Sequence, residues 1–143
     1  MKKNGIILSV ILVFSISGCT SLISSRGAEL VADNFVAGLQ DSNIKLLMSA
    51  YHEDADVTFL DPEKDPLVIS GKVPIREMQE STVGSNAIRK INYDTCEKEI
   101  IGNKVFYRIV VEVGEMSLLN TLEIEKHGDA WGIIHQTIEA SNP

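Results

Sequence analysis

From Ala87 onward the chain alternates long β-forming runs with glycine-bearing corners, and no other feature of the sequence constrains its fold as strongly. Ile88 to Ile101, Lys104 to Val113, Ser117 to His127 and Ala130 to Glu139 are four such runs, separated by Gly102-Asn103, Gly114 to Met116 and Gly128-Asp129. Gly-Asn and Gly-Asp pairs suit two-residue hairpin turns, whose leading residue takes a positive φ. Successive hairpins make an antiparallel meander. Leu118, Asn120, Leu122 and Ile124 alternate with Leu119, Thr121, Glu123 and Glu125, which gives that strand one apolar and one polar face.

Helical patterns come before the meander. Ala28, Val31, Ala32, Phe35 and Leu39 share a face at helical spacing, with Glu29, Asp33 and Gln40 away from it, as in an amphipathic helix. Asp41-Ser42 can end this helix and cap a second, in which Ile44, Leu47, Met48 and Tyr51 form the apolar stripe. Met48 and Tyr51 in that stripe read as core. Val57 to Leu60, a Pro/Asp-rich turn from Asp61 to Pro66, and Leu67 to Ile69 predict a hairpin with an irregular loop. After Gly71, Pro74 suits the first turn of a short helix with Ile75 and Met78 on one side. Helices followed by strands predict an α+β domain, its helices packed on one face of the sheet.

The first 18 residues are an address. Lys2 and Lys3 precede an apolar run from Ile6 to Ile16, and small residues lead to Cys19. This is the plan of a secretory signal peptide, and the run is shorter than the ~20 residues needed to span a membrane. Ile16-Ser17-Gly18-Cys19 resembles the bacterial lipobox, which implies cleavage before Cys19, lipidation of that cysteine, and anchoring in the bacterial cell envelope. Thr20, where retained lipoproteins commonly carry Asp, implies the outer membrane if the organism has two membranes. The other reading is a secreted protein cut nearby, with Cys19 an ordinary thiol. Residues 19–26 are then lipidated cysteine and tether, and 27–143 the folded domain. Thr20 to Arg26 reaches at most about 25 Å, so the domain sits close to the membrane surface. Cys96 has no cysteine left to pair with, and the acids Asp94, Glu97 and Glu99 around it disfavour a thiolate.

Charge narrows the partners. The chain carries 13 Lys+Arg against 20 Asp+Glu, a net of −7, and two of those bases lie in the leader. A surface so acidic repels phosphate backbones, which argues against nucleic acid.

In order, the helix, acidic corner, second helix ending Tyr51-His52-Glu53-Asp54-Ala55-Asp56-Val57, Gly71 before a short helix with Ile75, and a meander closing on Trp131-Gly132-Ile133-Ile134-His135 resemble the nuclear-transport-factor-2-like superfamily, in particular its SnoaL-like branch. The resemblance spans about Glu29 to Glu139. It implies a curved antiparallel sheet rolled into a cone around the N-terminal helices, with a mostly apolar concave pocket. Members include ketosteroid isomerases, polyketide cyclases, dehydratases and many non-catalytic binding or dimerisation modules, so the fold leaves the function open. The pocket residues it implies are Tyr51, Phe59, Tyr93, Tyr107, Trp131 and His135.

Aligned on Tyr51 and Asp54-Ala55, the position of the isomerase base holds Phe59, with Leu60 in place of the proline. Asp61-Pro62 follows two residues later, which displaces the carboxylate by roughly 6 to 7 Å along an extended strand. Tyr93 or Tyr107 could supply one donor to an oxyanion. Strict alternation puts Trp131, Ile133, His135 and Thr137 on one face of the last strand, and if that face is concave His135 enters the pocket beside Tyr107. An imidazole there could act as a general base. The favoured reading is a core histidine bonded to a tyrosine or a carbonyl. Ile134 and Ile138 then face outward and, with Val110 and Phe106, make an apolar patch suited to a homodimer.

Asp54, Asp56 and Asp61 lack the glycine and closing glutamate of a calcium loop, and His52, His127 and His135 lack zinc-ligand spacing, so no metal is expected. No nucleotide-binding or nucleophile-elbow motif occurs, and no cofactor is expected. The leading expectation is a lipid-anchored, non-catalytic module whose cone binds a small apolar ligand or a protein partner. The alternative is a cofactor-independent isomerase, cyclase or dehydratase using His135 or Asp61 as base, with Tyr107 as a further catalytic candidate.

Overall fold

The computed structural model describes residues 25–94 and 97–141. The signal peptide, Cys19, the tether as far as Ser24, and Cys96 lie outside the described residues.

Helix α1 (Arg26–Gln40) opens on the last residue assigned to the tether and buries Ala28, Val31, Ala32, Phe35 and Leu39, the predicted stripe. It stops where the Asp41 N–H bonds to Ala37 O at 2.9 Å and Ser42 turns to a left-handed φ of 52°. Asn43 caps α2 (Ile44–Ser49), its side chain accepting from the Leu46 N–H at 3.0 Å. The two helices approach so closely that a Cβ on Gly38 would lie 2.6 Å from Leu47 Cα.

The stripe that carried Tyr51 into α2 is cut short. The Ile133 N–H donates to Ala50 O at 2.8 Å, which captures the backbone for the sheet, and Tyr51 begins β1 (Tyr51–Leu60) with its ring in the core. β1 and β2 (Leu67–Ser70) form the expected hairpin. Gly71, at φ 89°, turns the chain into α3 (Lys72–Gly84), which buries Ile75, Gln79 and Val83.

The run predicted as one strand from Ile88 to Ile101 is two, β3 (Ile88–Asn92) and β4 (Lys98–Ile101). Both pair with β5 (Lys104–Val113), β3 with its C-terminal half and β4 with its N-terminal half. β6 (Met116–His127) and β7 (Ala130–Ala140) complete the meander, and the sheet order is β2-β1-β7-β6-β5-β3. One ladder departs from the antiparallel expectation: β1 runs parallel to β7. No hairpin joins these two strands, so no turn dictates their direction, and the sheet is mixed.

The helices cover one face of this curved, unclosed sheet. Phe35, Leu47, Met48 and Ile75 meet Val57, Tyr107, Ile109, Leu122, Ile124 and Ile133 in a single core. Register shifts in β1, β3 and β7 bend the strands over it.

Candidate binding cavity

Between α1, α3 and the concave face of the sheet lies a cavity of about 70 Å³. Phe35, Leu39, Phe59, Met78, Val111 and Ile138 supply most of its apolar wall. Three buried amides also line it, Gln79, Asn120 and Gln136, exposed by only 3%, 5% and 1%. An amide left unpaired in such a place costs about 1–3 kcal/mol, and these three are joined in a chain. Gln79 Nε2 donates to Tyr51 Oη at 2.7 Å, Tyr51 Oη donates to Gln136 Oε1, and Gln136 Nε2 donates to Asn120 Oδ1 at 2.7 Å. Asn120 Nδ2 ends the chain on Leu118 O at 3.4 Å.

Among the described residues, no Asp, Glu, His, Lys, Arg or Cys lines the cavity. Tyr51 beneath it is held as a neutral hydroxyl, because burial pushes its pKa far up and the bond from Gln79 offsets that only in part. The arrangement can enclose an apolar group and offer it neutral hydrogen bonds. Its described lining offers no group that exchanges protons near neutral pH.

Of the residues the resemblance placed in the pocket, Phe59 lines the cavity, and Tyr51 reaches it through Gln79 and Gln136. His135 does not enter. Across the β6–β7 ladder Glu123 pairs with His135 while Ile124 pairs with Ile133, so Ile134 is an extra, bulged residue. Past a bulge every side chain changes face. Gln136 and Ile138 therefore point inward, and His135 sits on the outer face, where its Nδ1 bonds to Asp56 Oδ1 on the neighbouring strand. This corrects both the inward placement of His135 and the outward placement of Ile138. His135 is not a core histidine either, since its side chain is 37% exposed.

Tyr93 and Tyr107 form a separate cluster between α1 and the β3–β5 edge. Their ring centroids are 6.0 Å apart, and Tyr93 Oη donates to Asp33 Oδ1 at 3.1 Å. Burial and then the nearby Glu29 and Asp33 push Tyr107 up to about 12; burial and Asp33 raise Tyr93 further. Trp131 lies at the opposite end of the domain against the start of α1, where a Cβ on Gly27 would fall 2.1 Å from its Cδ1. Asp61 lies past the end of β1 in an exposed turn; its carboxylate accepts from the Glu63 N–H at 3.0 Å and pairs with Lys64 at 3.1 Å. Its pKa is lowered by those bonds, and it does not line the cavity.

The amides themselves were missed, although each stands where the sequence pattern calls for an apolar residue. Asn120 is on the apolar face of β6, Gln79 is one turn from Ile75 on the buried stripe of α3, and Gln136 lies between Ile134 and Ile138.

No protein-family model and no curated protein matches the sequence. Solved structures do resemble the fold. An NTF2-like protein of unknown function from Methylobacillus flagellatus aligns with a TM-score of 0.66 at 12% identity, over 87% of this chain and 98% of that one. One from Shewanella baltica aligns at 0.63 and 14% identity, over 87% and 99%. One from Silicibacter pomeroyi aligns at 0.62 and 11% identity, over 81% and 94%. With helices on one face of a curved open sheet and a cavity on its concave side, this chain has the NTF2-like (nuclear-transport-factor-2-like) fold.

Proposed function

We propose that this protein is a non-catalytic binding module of the bacterial cell envelope, held at a membrane by lipid on Cys19, whose cavity takes a slender apolar group. The observation that carries the reading is the make-up of the cavity: an apolar wall, three buried neutral amides and, among the described residues, no ionisable side chain. Size narrows the ligand. About 70 Å³ is less than half of the roughly 150 Å³ that accommodates a benzene ring, so the cavity suits the end of an alkyl chain better than a ring system. In a bacterium with two membranes the leader sequence favours the outer one. Association with a second copy would use the outer face of the sheet, opposite the cavity.

Organic extraction of the full chain purified from its membrane, followed by mass spectrometry, tests the reading. Chain-type apolar compounds in near-stoichiometric amounts are expected, together with an N-terminal peptide carrying lipid on Cys19. Extracts indistinguishable from those of an Ile138→Trp variant, whose larger side chain fills the cavity, would contradict it. The catalytic alternative rests on the imidazole of His135 oriented by Asp56; turnover of an extracted compound that His135→Gln abolishes would favour it instead.

A further inference from the structure

Turn tips favour Gly, Asn, Asp and Ser, yet the β4–β5 turn begins with two exposed isoleucines, Ile100 at 47% and Ile101 at 56%. Gly102 and Asn103 complete it without a charge. Beside the turn lies a groove of about 240 Å³, whose lining includes Ile100, Val105, Lys126 and Trp131 and also Ser25, the residue that leads into α1. Ile100 stands opposite Val105 in the β4–β5 ladder, and Trp131 opposite Lys126 in the β6–β7 ladder. The indole is only partly buried, and Gly27 leaves it room over the first turn of α1.

Charge around the turn and the groove is balanced. Arg26 and Lys126 are exposed bases, Glu99 and Asp129 exposed acids, Lys104 is paired with Glu123, and Glu125 accepts from Asn103 at 2.7 Å. A contact made here is therefore apolar rather than electrostatic. This end is also where the chain enters the domain. Ser25 follows Cys19 by six residues, a reach of at most about 20 Å, whereas the 12 residues of β6 carry the sheet about 40 Å to its other end. Leu60, Leu67 and Met116, exposed as well, stand at that other end.

We infer that the β4–β5 turn and Trp131 dip into the lipid surface that holds the chain. Ile100 and Ile101 enter the upper part of the acyl layer, and the indole sits at the level of the head groups, where its apolar ring and its N–H are both accommodated. This rests on the lipid-anchor reading above and adds to it the face that the domain turns to its membrane.

Trp131 is the one tryptophan of the chain, so its emission reports on this end alone. The full chain purified from its membrane, reconstituted in phosphatidylethanolamine–phosphatidylglycerol vesicles with or without bromine on the acyl chains, tests the inference, with mass spectrometry of the N-terminal peptide on the same sample. Brominated lipid quenches an indole only at close range, and Trp131 emission is expected to fall about twofold for a ring at the boundary of head groups and acyl chains. Most of that quenching should be lost in Ile100→Ser/Ile101→Ser. It should be lost as well in Ile101→Asp, whose native side chain does not line the groove. With lipid present on Cys19, equal emission in the two kinds of vesicle, or quenching that both variants retain, would overturn the inference and leave the anchor standing. Emission that changes with the ratio of protein to lipid but not with bromine would overturn it in favour of a second copy of the chain on this end. A Cys19 without lipid would remove the anchor reading and the inference together.

Discussion

Tyr51 Oη joins two elements, accepting from Gln79 on α3 and donating to Gln136 on β7. Tyr51→Phe removes both bonds at once in a buried place and should cost about 1–3 kcal/mol in urea unfolding. His135→Gln breaks only the half-exposed bond to Asp56 and should cost less than about 1 kcal/mol. The reverse order of cost would mean that the outer pair, and not the inner tract, organises this part of the sheet. The tyrosines also fix an alkaline limit. Tyr107 is pushed up to about 12 by burial and the acids Glu29 and Asp33, and Tyr51 and Tyr93 are raised as well. In the unfolded chain a tyrosine ionises near pH 10. Between about pH 10 and about pH 12 the unfolded state therefore loses protons that the folded state keeps, and stability falls as pH rises. Unfolding and tyrosinate absorbance should rise together across that window. Three tyrosines titrating near pH 10 in a chain that stays folded would contradict the burial described.

Close packing between elements makes Gly38 sensitive. A Cβ there meets the backbone of Leu47 at 2.6 Å, and the two helices must part to admit it, so Gly38→Ala should destabilise by about 1–3 kcal/mol. Gly84→Ala at the end of α3, where nothing lies within 4 Å, should be neutral or stabilising by up to about 1 kcal/mol; equal thermal shifts for the two variants would refute the account of the α1–α2 contact. Most elements were legible because periodicity and turn chemistry are local; the break between β3 and β4 and the start of β1 at Tyr51, which are set by pairing with other strands, were not. The glycine corners after Ile101, Val113 and His127 mark the ends of strands, and the stripe of α1 is the one seen in the fold. What was not legible is where a strand slips by one residue. The bulge at Ile134 sends His135 outward and Ile138 inward, and alternation read from the sequence carries no mark of it except Gly132, a glycine inside a strand pattern. Its packing explains it, since a Cβ on Gly132 would lie 3.2 Å from His52 N. The same bulge kept the candidate site out of view: buried Gln and Asn look like surface residues until the face they occupy is known.

Across the whole molecule the two faces of the sheet differ in chemistry. The inner face is closed by helices around the amide-lined cavity. The outer face presents Phe106, Val110 and Leu119, a row of Thr58, Thr137 and Thr121 that ends on Arg108, and the acids Asp56, Glu123 and Glu139, of which Asp56 is bonded to His135 and Glu123 to Lys104. Without Ile138 the apolar patch is smaller than alternation implied, and both signs of charge surround it. For a homodimer that uses this patch, sedimentation of the full chain should show a dimer that is lost in Leu119→Glu; a monomer at every concentration tested would exclude it. The inner face carries the central claim. A titration of the full chain with octanol, followed through the side-chain amide resonances of Gln79, Asn120 and Gln136, addresses that claim most directly. The account predicts saturable shifts of all three amides and none at Thr58 or Thr121 on the outer face. Unmoved amides, or shifts confined to the outer face, would contradict it.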